Sequence, residues 1–399
     1  MKYIEQSKFS QTIVSFRYIL PFEKETITGY NLLCYMLKSK TEDFDNKQII
    51  SYEFNKNYGM KMSISLTVYG NQLSFQVQFR FIRPDWIEKK DYTESIIHIM
   101  DQFIDHPVFT EENLKESKYL LRNRLFAQKD DPATVAVLES LHMISKDHSI
   151  SISTNGYEDE IDEITLEDIC HLYNRFPSPL IYAAGKLDST LESYLSQIKQ
   201  TEECHADYEI LMDTLSYKEK YILKEIEQTY ISKVYATKID TRDPSYYSLL
   251  VMNSILGQSP VNLLFTEIRE KNSYCYSIGS SLIRFDGALY IYAGCDSENV
   301  NAILDLMDQQ IVRLQTMDYS DELLEQAKKD LIDGLLAGFD EEYIYIERQF
   351  LSDLLNQNGC AEEKIKKIQN VTKEDISHCA NLLSQISLAV VKEDESCTI

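Results

Sequence analysis

The chain repeats itself at an offset of 210 residues. "TEENLKESKYLLRNRLFAQKDD" begins at Thr110 and "SDELLEQAKKDLIDGLLAGFDE" at Ser320 (320 − 110 = 210). In this register Leu114 meets Leu324, Lys118 meets Lys328, Leu121 meets Leu331, Leu125 meets Leu335, Ala127 meets Ala337 and Asp130 meets Asp340. Self-similarity at such a distance means that one arrangement of elements is used twice. Each copy opens on a Ser or Thr N-cap followed by acidic residues, which satisfy free N–H groups and suit the positive end of the helix dipole. The spacing predicts two long amphipathic helices.

What precedes each helix also corresponds. "SISLTVYGNQLSFQVQFRF" reads as two alternating strands around a Gly-Asn turn, followed by the helix "DYTESIIHIMDQFID". The second half answers with "YCYSIGSSLIRFDGALYIYAGC", turning at Asp-Gly, and the helix "ENVNAILDLMDQQIVRLQ". Upstream, "TIVSFRYIL" and "QTYISKVYAT" lead into the apolar helices "GYNLLCYMLKS" and "YYSLLVMNSILG", and the halves close on "PLIYAAG" and "SLAVVKE". A lone hairpin cannot bury enough surface to be stable, so each half must gather its strands into a larger antiparallel or mixed sheet backed by helices. The expectation is an α+β chain of two tandem homologous α/β-sandwich domains, 1–186 and 222–399, joined by a charged, polar linker at 187–221. A duplicated scaffold without any site satisfies the same pattern.

Composition supports this size of fold and narrows the function. At 399 residues, 44% hydrophobic and 26% charged, the chain can supply two or three cores at roughly 100–200 residues per domain. The N-terminal "MKYIEQSKFSQTIVSFRYIL" mixes charge with its apolar residues, unlike a signal peptide or anchor, and no run approaches the ~18 apolar residues of a membrane helix. A cytoplasmic protein without a membrane span is expected. The formal charge of −24, with no basic run, argues against nucleic-acid binding. It suits a basic partner or peptide, although acidity also serves simply for solubility. The eight cysteines (Cys34, Cys170, Cys204, Cys275, Cys295, Cys360, Cys379, Cys397) form no C-x-x-C pair and read as mostly buried thiols of a reducing compartment.

Familiar catalytic motifs are missing. There is no G-x-S-x-G elbow, no G-x-x-x-x-G-K-[ST] and no G-x-G-x-x-G. The seven histidines include no i, i+4 pair, the spacing that sets two imidazoles on one helix face for zinc. Cys204-His205 and His378-Cys379 are adjacent, and neighbours on a helix point apart, so they read as incidental. With 64 Asp plus Glu, no catalytic carboxylate pair can be singled out.

The run "SLLVMNSILGQSPVNLLFTEIREKNSYCYSIGSS", then "GALYIYAGCDSENVNAILDLM" and "SDELLEQAKKDLIDGL", closely resembles the C-terminal half of the pitrilysin/insulinase-type zinc peptidases, the inverzincins. The resemblance covers the second half and, more weakly, the first. In that family an arginine at the end of this helix and a tyrosine seven residues on reach across a clamshell to substrate at the zinc. Arg269 and Tyr276 hold those positions, whereas Tyr274 falls two residues early. The family's zinc motif, H-x-x-E-H on the first helix, aligns with Asn31, Cys34 and Tyr35. The distal glutamate aligns with Asn123, with Glu116 at a glutamate position upstream.

The resemblance therefore implies a member whose two domains form half of a clamshell and whose catalytic motif is gone. Hydrolysis needs a metal with three ligands to lower the pKa of water to about 7, and a carboxylate to take its proton. Asn and Tyr are poor zinc ligands. No cofactor is expected in this chain; zinc is expected in a partner subunit, an H-x-x-E-H paralogue. In two-subunit members one chain keeps the zinc, and in some bacterial pairs the other supplies the Arg/Tyr pair. The expected function is a non-catalytic, activity-completing subunit of a heterodimeric zinc peptidase acting on peptides. The alternatives are a catalytically dead peptide-binding or scaffold protein, alone or as a homodimer, and an enzyme with chemistry relocated to Cys34, for which no histidine lies nearby in sequence. "R-E-K" at a helix end is also an ordinary solvated turn, and Tyr276 could be a half-buried strand residue.

Overall fold

The computed structural model describes residues 1–201, 203–212, 215–357 and 360–394. Cys397 lies outside the described residues. The strands are β1 (Lys2–Glu5), β2 (Gln11–Pro21), β3 (Lys61–Tyr69), β4 (Gln72–Ile82), β5 (Leu180–Gly185), β6 (Lys218–Lys224), β7 (Thr229–Ala236), β8 (Cys275–Ile283), β9 (Ala288–Cys295) and β10 (Ser384–Glu393). They form two five-stranded sheets with one topology, β1-β5-β2-β4-β3 and β6-β10-β7-β9-β8. Both are mixed: β1 runs parallel to β5 and β6 to β10, and the other pairs are antiparallel. The repeat is thus expressed as two homologous α+β domains.

The helices of the first half are α1 (Lys24–Met36), α2 (Lys47–Lys56), α3 (Tyr92–Ile104), α4 (Glu111–Asp130), α5 (Pro132–His142), α6 (Leu166–Asn174) and α7 (Ser189–Gln197). Those of the second are α8 (Tyr246–Asn253), α9 (Val300–Gln315), α10 (Asp321–Ala337), α11 (Glu342–Leu355), α12 (Ala361–Gln369) and α13 (Lys373–Leu382). The long helices start at Glu111 and Asp321, preserving the offset read from the sequence. The polar stretch after Leu187 holds the helix α7, capped by the Asp188 carboxylate, which accepts from the Leu191 N–H.

The chain sorts into two compact units that are discontinuous in sequence. The first is Met1–Phe126, Ser153–Asp207 and Gly338–Asn358; the second is Ala127–Ile152, Tyr208–Ala337 and Gly359–Ile399. The helix after each long helix therefore joins the other repeat's sheet: α11 packs on β2 and β5, and α5 on β7 and β10.

This covering helix explains a burial pattern that alternation alone does not give. In the first unit the phenylalanines of β4 face the helices, with Phe75 against Tyr30 of α1 and Phe79 against Phe103 of α3. The other face carries Ser15, Arg17, Gln76 and Gln78, a polar row that would ordinarily meet water. All four are buried. Phe350 of α11 sits over this face, 5.3 Å from Tyr69 and 6.0 Å from Tyr182 between ring centres. Glu347 of α11 pairs with Arg17, which is only 1% exposed. In the second unit Ser140 of α5 meets Ser232 at 2.7 Å and accepts from Ser387 at its carbonyl at 2.6 Å, all buried.

The seven described cysteines are free: Cys275, Cys295 and Cys379 are buried, Cys34, Cys170 and Cys204 half-buried, and Cys360 exposed. Among the described residues no helix is long and apolar enough to cross a membrane.

Candidate functional site

Helix α1 buries Ile27, Leu32, Leu33 and Met36, and with them two polar side chains, Thr28 and Asn31. Buried polar groups need partners, and the segment 153–160 provides them. Thr28 Oγ1 accepts from the Tyr157 N–H at 3.0 Å and donates to Glu160, while Asn31 Nδ2 donates to the Thr154 carbonyl at 3.1 Å and to Ile27 O at 2.9 Å. The segment can lie this close because residue 156 is glycine. Its φ is +82°, and a Cβ there would stand 2.9 Å from the Thr28 Cα.

The remaining acceptor of Asn31 is taken by a cation. Arg124 of α4 donates from Nη2 to Asn31 Oδ1 and, at 3.3 Å, to the Asn155 carbonyl. Its guanidinium carbon lies 5.8 Å from the centre of the Tyr35 ring, and its Nε is buried without a hydrogen-bond partner among the described residues. Cys34 is beside them: burial pushes its thiol up to about 12, with Lys38 and Arg124 pulling the other way. Such a thiol is protonated at neutral pH and is a weak nucleophile.

Asn31, Tyr35 and Cys34 are thus brought together with α4, as the motif alignment implies, but the α4 residue that reaches them is Arg124. Asn123 is exposed, and so is Glu116, whose carboxylate pairs with Lys47 at 2.6 Å. Helical phase contains the reason. Ser117, Leu121 and Leu125 form the buried stripe of α4; Arg124 follows Leu121 by three residues and shares its face, whereas a step of two points away. A metal placed among these side chains would face a fixed positive charge instead of a carboxylate. Among the described residues no three His, Cys, Asp or Glu side chains are grouped to hold a metal ion.

The second group of residues belongs to the second unit. After α8 the backbone is wound as two π-helical stretches, Ser254–Gln258 and Phe265–Lys271. Such wider turns are often found at functional sites. Gly257 permits close packing, since a Cβ there would lie 2.7 Å from the Ser280 backbone nitrogen. The second stretch delivers Arg269, exposed, with its guanidinium 5.0 Å from the Phe265 ring centre. Among the described residues Arg269 makes no ion pair.

Strand β8 opens with Cys275 opposite Cys295, and the register then slips before Ser277 pairs with Gly294. Tyr276 occupies this irregularity. It is 52% exposed, and its hydroxyl donates to both Asp296 oxygens at 3.0 and 3.1 Å. That carboxylate holds the phenol above its ordinary value. Arg269 is near enough to pull on the Cys275 thiol, which burial pushes up to about 11. Tyr274 is partly buried against the core, so the tyrosine presented to solvent is Tyr276.

Chemically, the first group offers no metal ligand set and no base. The second offers, at one junction, a guanidinium without an ion pair among the described residues and a phenol whose O–H is given to Asp296.

The family model described as the peptidase M16 inactive domain matches residues 163–331. "Probable inactive metalloprotease YmfF" of Bacillus subtilis is 25% identical over 402 residues, spanning 94% of this chain and 91% of that protein. "Uncharacterized zinc protease YmxG" of the same organism is 22% identical over 73% of each. A solved structure of a conserved protein from Enterococcus faecalis superposes with a TM-score of 0.91 at 22% identity, over 98% of this chain and 96% of that one. Similar along its length in sequence to these relatives and in fold to that structure, the chain resembles the peptidase M16 proteins, the pitrilysin/insulinase group, and lacks the histidines of their zinc motif.

Proposed function

We propose that this chain is the non-catalytic, activity-completing subunit of a heterodimeric zinc peptidase, and that it supplies Arg269 and Tyr276 to peptide bound at the zinc of an H-x-x-E-H partner. The observation that carries this reading is the exposed Arg269, a guanidinium without an ion pair among the described residues, at the junction that presents Tyr276. An arginine whose only role is to stabilise its own fold would be expected to find a carboxylate in a chain this acidic. The Arg124–Asn31 bond supports the other half of the reading, since it leaves the zinc to the partner. That one organism holds relatives named as an inactive metalloprotease and as a zinc protease is consistent with such a pair.

One observation favours the scaffold reading. The Tyr276 hydroxyl already donates to Asp296, so its donor must be released before it can serve a substrate.

Metal content and pairing test the proposal together. The purified chain, dialysed against a weak chelator, should retain no stoichiometric zinc. Mixed with its zinc-bearing paralogue, it should sediment as a 1:1 complex with one zinc per pair, associating more slowly as salt rises past the ~8 Å Debye length of physiological ionic strength. One tightly held zinc in the chain alone, lost in Cys34→Ser, would remove the basis for the proposal.

A further inference from the structure

The first unit contains a cavity of about 510 Å³ that none of the side chains discussed as a site enters. Three helices end at it. Helix α3 stops at Ile104, α6 at Asn174 and α7 at Gln197, and residues just beyond each end line the cavity. The last carbonyls of a helix have no intrahelical donors and carry partial negative charge. The last turns of α3 and α7 hold no basic residue to offset it.

The walls add to this polarity. Tyr18, Tyr173, Tyr194 and Phe176 supply aromatic surface, with Phe176 lying 4.7 Å from Tyr18 and 5.4 Å from Tyr173 between ring centres. Asp105 lines the same space. All three phenols are pushed well up, by burial first and with the Asp105 carboxylate among the neighbours that add to it. Tyr173 donates to the Ile104 carbonyl, but the Tyr194 hydroxyl is buried and has no hydrogen-bond partner among the described residues. The cationic side chain on the lining, Lys199, is exposed and makes no ion pair among the described residues.

Aromatic faces, a carboxylate and helix C-termini all attract the same kind of group. An ammonium would meet π-density on several sides, a carboxylate for its charge and an unused oxygen for one of its N–H bonds. An anion would meet the Asp105 carboxylate and three helix C-termini, against one exposed cation, Lys199, at the lining. The volume falls within the ~300–1,000 Å³ of small-ligand sites. We propose that this cavity binds an alkylammonium group. The two sources of such a group are a free amine and the side chain of a lysine in a polypeptide.

The test is a titration of the full chain, followed by tyrosine fluorescence and by calorimetry, with n-butylammonium, with Nα-acetyl-lysine amide and with 1-pentanol as the neutral isostere. Saturable binding of an ammonium ligand, weakened about tenfold in Asp105→Asn and about threefold in Tyr194→Phe with unchanged thermal melting, is the expected result. Tighter binding of the lysine amide identifies a lysyl side chain as the source, and tighter binding of butylammonium a free amine. Either supports the site. The proposal is overturned if no ammonium ligand saturates, if pentanol binds as well as butylammonium, or if both variants bind like wild type.

Discussion

If this chain completes a partner's zinc site as proposed, replacing Arg269 by alanine should lower kcat of the reconstituted pair by about 10²–10³, the scale for losing one preorganised donor to a developing oxyanion. Folding should be unaffected. The side chain is exposed and leaves no buried partner behind, so stability should stay within about 0.5 kcal/mol of wild type. Arg269→Lys should recover only part of the loss, because an ammonium lacks the planar fork that engages two acceptors at once. Tyr276→Phe should lower turnover as well, and it also removes the donor to Asp296. Glu270→Ala, an exposed neighbour on the same turn, is the control. Steady-state assays on the reconstituted pair give the answer, and equal turnover for all these variants would favour the scaffold reading.

The largest effect on stability is expected at the ion pair beneath α11. Arg17 is buried and hydrogen-bonds Ser15 Oγ at 3.3 Å and Glu347 Oε2 at 3.4 Å, with its guanidinium carbon 4.3 Å from the Phe350 ring centre. The phenols of Tyr69 and Tyr343 feel the Glu347 carboxylate, and burial together with that carboxylate pushes Tyr69 up to about 12. Glu347→Ala leaves a guanidinium in the interior without its counter-charge and should destabilise the first unit by about 3–5 kcal/mol. The double change Arg17→Met with Glu347→Leu removes both charges and should recover most of that loss. Urea unfolding of the three chains decides it. A loss under 1 kcal/mol for Glu347→Ala would mean that α11 is not held by this pair.

The sequence made the paired strands plain wherever a local signal existed. The hairpins β3-β4 and β8-β9 have Gly-Asn and Asp-Gly turns between alternating residues, and β2 is a long β-branched and aromatic run. Strands β1 and β6 had no such signal. "KYIE" and "KEKYILK" are short or charged, and each pairs in parallel with a strand more than 150 residues away, so no turn announces them. The exchange of α5 and α11 is equally silent, because an apolar stripe says that a helix packs but not on which sheet. For that reason the burial of Gln76 and Gln78 follows only from α11 covering their face of the sheet. At the site, Asn31, Cys34 and Tyr35 were singled out only by aligning the first helix with the zinc motif of the family that the sequence resembles. Arg124 required the phase of α4 to be read against its buried leucines, and the pairing of Tyr276 with Asp296 depends on a register slip that composition does not reveal.

Whether this chain completes a site held by another is decided by the peptidase turnover of the zinc-bearing paralogue, measured alone and again with this chain at saturation. Little turnover by the paralogue alone, and full activity at one equivalent with zinc only in the paralogue, is the expected result. A paralogue already fully active alone, and unchanged on adding this chain, would contradict it.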